Sequence, residues 1–275
     1  MNYLEGFRQN SPAVAALRTY NNISSQFTQR AGDKVGFGSF LDKFLDRNVL
    51  MAEAYSNPVI MSILRERGIP LDADIKMFKE NVYQHSLSTK KFATGIYNNL
   101  PKELQNKANL KDIAQGALLH DVGKVLIPGK CLLKKGELTD KERDVINLHS
   151  TLSYELLKRQ GLSENVMNII KYHHQNKNGT GYPSMSDRMG VDAQIVSLAD
   201  KYSALTEKRS YKAAMSPKEA LAVLKNEVEN GGISNDIYDA LVRYVDDSSN
   251  KTNRMFAGNF NPQSKMMNFS RMFIA

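Results

Sequence analysis

The sequence predicts an all-α protein built as a helical bundle. Between residues 72 and 244 apolar side chains recur at the three- and four-residue spacing of helices, and the alternation typical of β-strands is nearly absent. Helix start signals punctuate this stretch, and the first, Thr139-x-x-Glu142, has the form of a capping box. Apolar residues make up 41% of the 275 residues, which is ample for a sizeable core. Helices bury their apolar faces against one another, so a bundle is the expected architecture.

The sequence before residue 70 predicts additional helices. Residues 1–36 are rich in Gln, Asn, Ser and Thr and predict a loosely organised start. Phe40–Tyr55 and Val59–Arg67 have helical character, and Gly68-Ile69-Pro70 supplies a stop for the second. The predicted division of the chain is an additional helical N-terminal segment with no assigned role at 1–70, a main domain at 71–246 and a C-terminal tail at 247–275.

Two further helix starts follow in the main domain. Ser163 precedes an apolar helical run and is a predicted N-cap. Ser216-Pro217-x-Glu219 places a cap, a first-turn proline and an acid at the third helical position in order. The tail after residue 246 turns polar and then carries Met and Phe residues. The sequence leaves two interpretations of this tail open: a docking segment and a frayed terminus.

Composition narrows the setting and the partners. A single cysteine, Cys131, excludes an internal disulfide framework, and its apolar neighbours indicate a packing role. No stretch resembles a signal peptide or a membrane span, so we expect a cytoplasmic protein. The net charge of +8 favours a polyanionic partner such as a nucleotide, a nucleic acid or an anionic membrane face. The basic residues are spread along the chain, which weakens that argument.

The chain's five histidines all fall between residues 85 and 174, and each is predicted to lie on a helix. Two acids accompany them: Asp121 follows one histidine directly, and Asp200 falls inside an apolar helical run. Five imidazoles and two carboxylates form a plausible ligand complement for two adjacent divalent ions. The histidines are His85, His120, His149, His173 and His174.

Taken singly, some of these histidines have simpler interpretations. His85 in a polar helix would be a surface or capping residue, and His149, which shares a face with apolar neighbours, would be a core histidine. The pair His173-His174 follows two isoleucines at four-residue spacing, which directs both rings towards the core. That arrangement is harder to explain without a ligand.

The two acids carry a cost that a cation would remove. Asp121 is predicted in the last turn of its helix, where it faces the negative end of the helix dipole, a cost of up to about 1 kcal/mol. Asp200 aligns with Val196 and Ala204 on a face that is predicted to be buried, where an unpaired carboxylate is expensive. A bound metal ion satisfies both acids. A lysine or arginine partner is the alternative for Asp200.

The ordered set of histidines and acids, together with Gly181-Tyr182-Pro183 and the stretch His120-Asp121-Val122-Gly123-Lys124, resembles the HD-GYP branch of the HD phosphohydrolases. The resemblance covers roughly residues 75–228. It implies a helical bundle of the HD/HD-GYP type and a bacterial signalling enzyme: a metal-dependent phosphodiesterase whose substrate is a cyclic dinucleotide, cyclic di-GMP first.

The resemblance also implies a role for each matching residue. Asp121 and Lys124 would be catalytic, with Lys124 facing the scissile phosphate. Arg209 and Lys212 would contact the substrate phosphates, and Gly181 and Tyr182 would lie in the loop beside the nucleotide. Mixed imidazole and carboxylate ligation suits iron or manganese, while zinc and nickel stay open. The implied metal ligands are His85, His120, Asp121, His149, His173, His174 and Asp200.

Three departures from the family pattern bear on the site. Asn81 stands where relatives with a third metal carry a glutamate, and the adjacent Glu80 points away from the face shared by Asn81 and His85, so we predict two ions. Ser203 replaces a second acid three residues after Asp200, which predicts a site one carboxylate poorer. Residues 183–199 are about two residues shorter than usual, so the pocket is expected to differ.

The hypothesis from sequence is hydrolysis by a hydroxide bridging the two metals, which attacks phosphorus in line with the ribose 3′ oxygen and yields a linear dinucleotide. Lys124, Arg209 and Lys212 would counter the phosphate charge. Cyclic GMP-AMP, a mononucleotide and a linear oligonucleotide are alternative substrates. A signalling module that binds a nucleotide or protein partner without turnover is the alternative of another class. The N-terminal segment fits a sensor, a homodimer surface or an arm that docks a protein signalling partner.

Overall fold

The computed structural model describes residues 44–184, 189–207 and 213–258, the last ten of these by their backbone alone. The prediction of an all-α bundle is confirmed: regular structure in these ranges is helical, with a single isolated β-bridge between Gln175 and Gly181. The helices are α1 Arg47–Ser56, α2 Pro58–Glu66, α3 Ile75–Asn81, α4 Tyr83–Asn98, α5 Lys102–Gln105, α6 Leu110–Leu119, a 3₁₀ helix Val122–Leu126, α7 Gly129–Leu132, α8 Asp140–Asn147, α9 His149–Leu157, α10 Glu164–Tyr172, α11 Val191–Thr206, α12 Pro217–Glu229 and α13 Asn235–Gly258.

The capping signals that the sequence carries start the helices that they predict. At α8 the Thr139 hydroxyl accepts from the Glu142 N–H, and the Glu142 carboxylate accepts from the Thr139 N–H at 2.8 Å. Helix α12 begins with the same reciprocal box between Ser216 and Glu219. The Ser163 hydroxyl caps α10 at the third helical N–H. Each cap satisfies donors that the first turn leaves free, which defines where the helix begins.

The N-terminal helices pack onto the bundle. Helix α1 begins after an Asp46 cap, and residues 40–43 of the predicted helix lie outside the described residues. Asn57 caps α2 and also donates its side-chain amide to the carbonyl oxygen of Glu155 in α9 at 3.1 Å. Leu50 and Ile60 belong to the same buried cluster as residues of α6 and α9. The division at residue 70 stays a prediction.

Two apolar clusters make up the core, and two helices contribute to both. The first joins α1, α2, α3 and α9, and the second joins α4 with α11, α12 and α13. Helix α6 supplies Leu119 to the first and Ile113 to the second, while α10 supplies Ile170 to the first and Ile169 to the second. Helices α6 and α10 therefore run along the junction of the clusters, and both end at a histidine.

The remaining expectations concern single elements. Cys131 is buried within the first cluster, as its packing interpretation predicts. Helix α13 continues through the predicted boundary after residue 246, and the side chains from residue 249 onward lie outside the described residues. Among the helices in the described ranges, none combines the length and the apolarity needed to cross a membrane.

Candidate metal centre

The predicted ligand residues converge on one buried centre. Their nitrogen and oxygen atoms form three overlapping groups, and within each group these atoms lie no more than 4.8 Å apart. The middle of the centre is closed to bulk solvent, because the side chains of His120 and His173 are fully buried. The groups are His149, His173 and His174; His85, His120 and Asp121; and His120, His173 and Asp200.

The sequence places all five histidines on helices, and this prediction is wrong for three of them. His120 is the C-cap of α6, His173 is the C-cap of α10, and His174 follows in a turn. Asp121 lies beyond the helix end, at the N-cap of the 3₁₀ helix, and not in the last turn of α6. Neighbouring residues of a helix point about 100° apart. Because each helix ends here, both members of the pairs His120-Asp121 and His173-His174 can face the centre.

Three of the imidazoles are oriented by one recurring device. Each uses its Nδ1 to donate to the backbone carbonyl three residues earlier, in the last turn of the helix before it. Carbonyls in the last turn of a helix have no N–H partner four residues further along that helix, so the bond satisfies the helix end and leaves Nε2 directed towards the centre. The pairs are His120 Nδ1 with Ala117 O at 2.7 Å, His149 Nδ1 with Ile146 O at 2.6 Å, and His173 Nδ1 with Ile170 O at 2.8 Å.

This arrangement brings lone pairs against one another. The Nε2 atom of His149 is 3.2 Å from that of His173 and 3.0 Å from that of His174. Burial lowers the pKa of all three imidazoles, to about 4 for His174, so the rings are neutral at neutral pH. His149 and His173 carry their ring protons on Nδ1, so no proton lies between their Nε2 atoms. Among the described residues, His120 Nε2 and Asp121 Oδ1 also lack a hydrogen-bond partner. A shared cation would satisfy all these atoms, and so the donor set fits divalent metal ions.

Asp121 lies between the ligand groups. Its Oδ1 is 3.3 Å from His149 Nε2, and its Oδ2 is 3.3 Å from His120 Nε2 and 4.0 Å from His85 Nε2. Burial opposes ionisation, but the charges of His120 and Lys124 outweigh it and hold the pKa of the carboxyl well below its ordinary value. The carboxylate is therefore ionised, with one oxygen beside His149 and the other beside His120 and His85.

Asp200, on α11, closes the centre from the other side. Its Oδ1 is 2.7 Å from His85 Nε2 and 3.8 Å from His120 Nε2, and its Oδ2 is 3.8 Å from His174 Nδ1. Within the described residues its ion-pair contacts are all to histidines, not to the lysine or arginine that was the alternative. Burial opposes its ionisation, but the hydrogen bond from His85 keeps the pKa of Asp200 well below the ordinary range.

His85 has a carboxylate on each of its ring nitrogens. Nε2 faces Asp200, and Nδ1 is 2.9 Å from Oε2 of Glu207, a residue that the sequence analysis missed. Burial disfavours the charged ring, but these two hydrogen bonds outweigh it and raise the pKa of His85 to about 9. The prediction that Ser203 leaves the site one carboxylate poorer is therefore wrong around His85. The signal was present, because Glu207 follows Ser203 by four residues, one helical turn along α11.

Metal binding is expected to release the proton of His85 and therefore to depend on pH. A ring with its pKa raised to about 9 is protonated at pH 7, and a cation must displace that proton from Nε2. The association constant for Mn²⁺ should rise about tenfold per pH unit between pH 7 and 9, with about one proton released, because one titrating group competes with the ion. Titration calorimetry in buffers of different ionisation enthalpy measures both quantities. An affinity that is constant across this range would contradict the assignment of His85.

Lys124 lies at the edge of the centre. Its Nζ donates to Asp121 Oδ2 at 2.6 Å, and its side chain is 17% exposed. The two residues are three apart around the 3₁₀ helix Val122–Leu126, whose three-residue turn places them one above the other. This ammonium group therefore touches both the buried carboxylate and the solvent from which a ligand would enter.

The loop Gln175–Pro183 forms one wall of the centre. Gly181 has φ +130°, and a Cβ there would collide with the His174 carbonyl oxygen, so only glycine fits. The Tyr182 ring then stacks on His174 at 4.7 Å between centroids. Burial and the charges of Asp200 and Asp121 raise the pKa of the phenol, which keeps Tyr182 a hydrogen-bond donor. The other two predicted phosphate contacts, Arg209 and Lys212, lie outside the described residues.

Asn81, the position considered for a third metal, lies away from the centre. Helix α3 ends at Asn81, and a new helix begins at Tyr83, so Asn81 and His85 do not share one helix face as the sequence analysis assumed. The Asn81 amide donates to the Met77 carbonyl oxygen at 3.0 Å, and both Asn81 and Glu80 are exposed.

The model of the family described as HD domain matches residues 75–233. The chain belongs to this family. The matched range contains every residue of the metal centre, and the resemblance to the HD phosphohydrolases is confirmed. The helical fold agrees with a solved HDG"Y"P protein from Bdellovibrio bacteriovorus, which is 15% identical, has a TM-score of 0.50, and aligns over 89% of this chain and 75% of its own.

Curated relatives are named as cyclic-dinucleotide phosphodiesterases. A 3′3′-cGAMP-specific phosphodiesterase 1 from Vibrio cholerae is 30% identical over 67% of this chain and 42% of its own length. The cyclic di-GMP phosphodiesterase response regulator RpfG from Xanthomonas campestris pv. campestris is 37% identical over 43% of this chain and 32% of its own. A cyclic di-GMP phosphodiesterase from Pseudomonas aeruginosa is 28% identical over 86% and 57%. The chain thus spans between about a third and just over half of these relatives.

Proposed function

We propose that this protein is a metal-dependent phosphodiesterase that hydrolyses a cyclic dinucleotide to a linear dinucleotide, with residues 71–246 as the catalytic unit. The observation that carries the proposal is the convergence of five imidazoles and two carboxylates on one buried centre, in which three rings are anchored by helix-end carbonyls and two of them, His149 and His173, bring their Nε2 lone pairs together. A protein that uses these histidines only for packing has no reason to hold the Nε2 lone pairs of His149 and His173 3.2 Å apart.

The seven ligand residues divide between two ions in this proposal. His149, His173 and His174 would serve one, His85, His120 and Asp200 the other, and Asp121 lies between them. When bound, iron or manganese supplies a hydroxide nucleophile at neutral pH and neutralises the phosphate oxygens. Asn81 is exposed at the end of α3 and hydrogen-bonds its own helix, away from the centre, which supports two ions.

The side chains around the centre supply binding and orientation. The Lys124 ammonium group, partly exposed beside Asp121, is placed to pair with a phosphate oxygen as substrate enters. Tyr182 offers a neutral hydroxyl donor and an aromatic face next to His174. Burial of the imidazoles excludes bulk water, which strengthens each of these interactions. Arg209 and Lys212 are proposed to contact the remaining phosphate charge.

Cyclic di-GMP is the first proposed substrate, because relatives with this activity in their names recur among the matches. Cyclic GMP-AMP is the second candidate, and a specific observation favours it: a relative named for 3′3′-cGAMP aligns over 67% of this chain at 30% identity. Both compounds are cyclic dinucleotides, and the hydrolytic chemistry of the metal centre is the same for either.

The test is hydrolysis by the purified protein after its metals have been removed and either Fe²⁺ or Mn²⁺ has been restored. Cyclic di-GMP, cyclic GMP-AMP, a cyclic mononucleotide and a linear oligonucleotide are incubated at equal concentration, and products are separated by chromatography. We expect a metal-dependent linear dinucleotide, formed fastest from cyclic di-GMP. Binding of cyclic dinucleotides without hydrolysis under either metal would refute the enzyme and support the non-catalytic signalling module.

Replacing Lys124 by methionine is expected to lower kcat about 100-fold, the usual scale for losing one charged group that stabilises a transition state. The metal content should stay at the wild-type value, because Lys124 is not a ligand and Asp121 keeps its other contacts. Steady-state kinetics and elemental analysis measure the two effects. Lys134→Met is the matched control, since Lys134 pairs with Glu142 at the start of α8, and it should keep wild-type kinetics.

A further inference from the structure

His85 is held differently from the other buried imidazoles. His120, His149 and His173 each follow a helix end and use its free carbonyl. His85 lies inside the first turn of α4, and the carbonyl three residues before it, that of Val82, already accepts from the Ser86 N–H at 3.1 Å. His85 does not use the device that orients the other rings, and its Nδ1 has a partner from elsewhere in the fold.

That partner is a carboxylate at the end of α11. Glu207, the C-cap of α11, places Oε2 at 2.9 Å from His85 Nδ1. The hydroxyl of Ser203, which is fully buried, donates to the other oxygen, Oε1, at 2.9 Å, and Ser88 of α4 also hydrogen-bonds this carboxylate. Glu207 is thus held from two helices, which leaves its carboxylate little freedom to turn away from the ring.

We propose that Glu207 is a positioning residue for the metal centre: held by Ser203, it orients His85 so that Nε2 faces the place of the metal ion. The inference rests on the proposed metal-dependent function. Ser203 occupies the place, three residues after Asp200, where the sequence comparison expects an acid, and Glu207 brings a carboxylate to the same ring from one turn further on. In this chain the carboxylate lies one helical turn further along α11, and the Ser203 hydroxyl donates a hydrogen bond to it.

A charged acceptor changes more than the orientation of the ring. A carboxylate that accepts from Nδ1–H makes the imidazole a better electron donor at Nε2 than a neutral carbonyl does. The ion bound by His85 and Asp200 is then held more tightly than the geometry of the ligands alone provides. Removing such a partner typically weakens metal affinity by about 10- to 100-fold.

The experiment measures metal affinity without turnover. Apo protein is titrated with Mn²⁺ against a fluorescent chelator, and with Co²⁺ while its visible absorption is recorded. Glu207→Gln is expected to weaken binding of the ion held by His85 and Asp200 about tenfold and to shift the Co²⁺ spectrum, because the amide keeps the size but loses the charge. Glu103→Gln, which alters an exposed acid on α5, should bind both metals as the wild type does.

A second variant separates positioning from folding. In Ser203→Asp with Glu207→Gln the carboxylate returns to the position that carries an acid in the family pattern, and Mn²⁺ affinity should recover to within about threefold of wild type, a small part of the loss expected for such a partner. Unchanged affinity in Glu207→Gln would overturn the inference while leaving the proposed enzyme intact. So would a loss that Ser203→Asp does not recover and that leaves the Co²⁺ spectrum unshifted. A wild-type protein that binds neither metal would instead refute the proposed function.

Discussion

Changing Asp121 to alanine is expected to lower turnover by about 1,000-fold or more and to reduce the bound metal. The carboxylate lies between the two ligand groups, with one oxygen towards His149 and the other towards His120, so its loss affects both ions. A 1,000-fold loss corresponds to about 4 kcal/mol of transition-state stabilisation, which is within what a metal ion supplies. Elemental analysis gives the metal content, and chromatography of the products gives the rate.

The control for this variant is Asp72→Ala. Asp72 forms an exposed ion pair with Arg47 at 2.6 Å, and such a pair contributes at most about 1 kcal/mol, so its removal should change neither metal content nor rate. Melting in the presence of a chelator should show that Asp121→Ala still folds. A folded Asp121→Ala protein with wild-type turnover would refute the assignment of the centre.

Replacing Gly123 by alanine is expected to destabilise the protein by about 3 kcal/mol, at the upper end of overpacking costs. A Cβ at this position would overlap the His149 carbonyl oxygen and lie 2.5 Å from the Ser153 backbone nitrogen. Both obstacles are backbone, so neither can rotate away, and the 3₁₀ helix and α9 must separate. Asp121 lies two residues before Gly123, and His149 is the first residue of α9. That separation therefore also moves these two candidate ligands apart. Metal affinity should therefore fall together with stability.

Thermal unfolding with chelator present measures the folding effect apart from the stabilisation that bound metal contributes. A loss of about 3 kcal/mol lowers the melting temperature by roughly 6–12 °C for a domain of this size. Gly129→Ala is the matched control, because the nearest atoms to its Cβ are at 3.9 Å and the residue lies in α7. Its stability should change by less than about 0.5 kcal/mol. Equal melting temperatures for the two variants would contradict the close approach at Gly123.

Helix starts and a set of candidate ligand residues could be predicted from the sequence because both depend on neighbouring residues or on residue chemistry. The capping boxes at Thr139 and Ser216 act within four residues, and the structure contains both. Buried acids such as Asp200 and adjacent histidines such as His173 and His174 favour a cation whatever the fold, since a metal ion offsets the desolvation cost of both. The all-α class followed from periodicity alone.

The sequence alone could not predict the distances between helices. The proximity of Glu207 to His85, 122 residues apart, depends on how α11 packs against α4. The exit of the chain from its helix after Leu119, which turns both His120 and Asp121 inward, likewise depends on the tertiary contacts of that turn. Asn81 was misplaced for a related reason, because a break in the helix at Val82 leaves little trace in apolar spacing.

The sequence by itself determined the helical class, the order of the ligand residues and the chemistry that they favour. Only the tertiary structure decided which carbonyl or carboxylate orients each ring, and that the lone pairs of His149 and His173 meet at 3.2 Å. The physical reason is one of range. Helix periodicity and capping arise from contacts within a turn or two, whereas a metal centre needs positions set to a few tenths of an ångström by side chains that pack from distant parts of the chain.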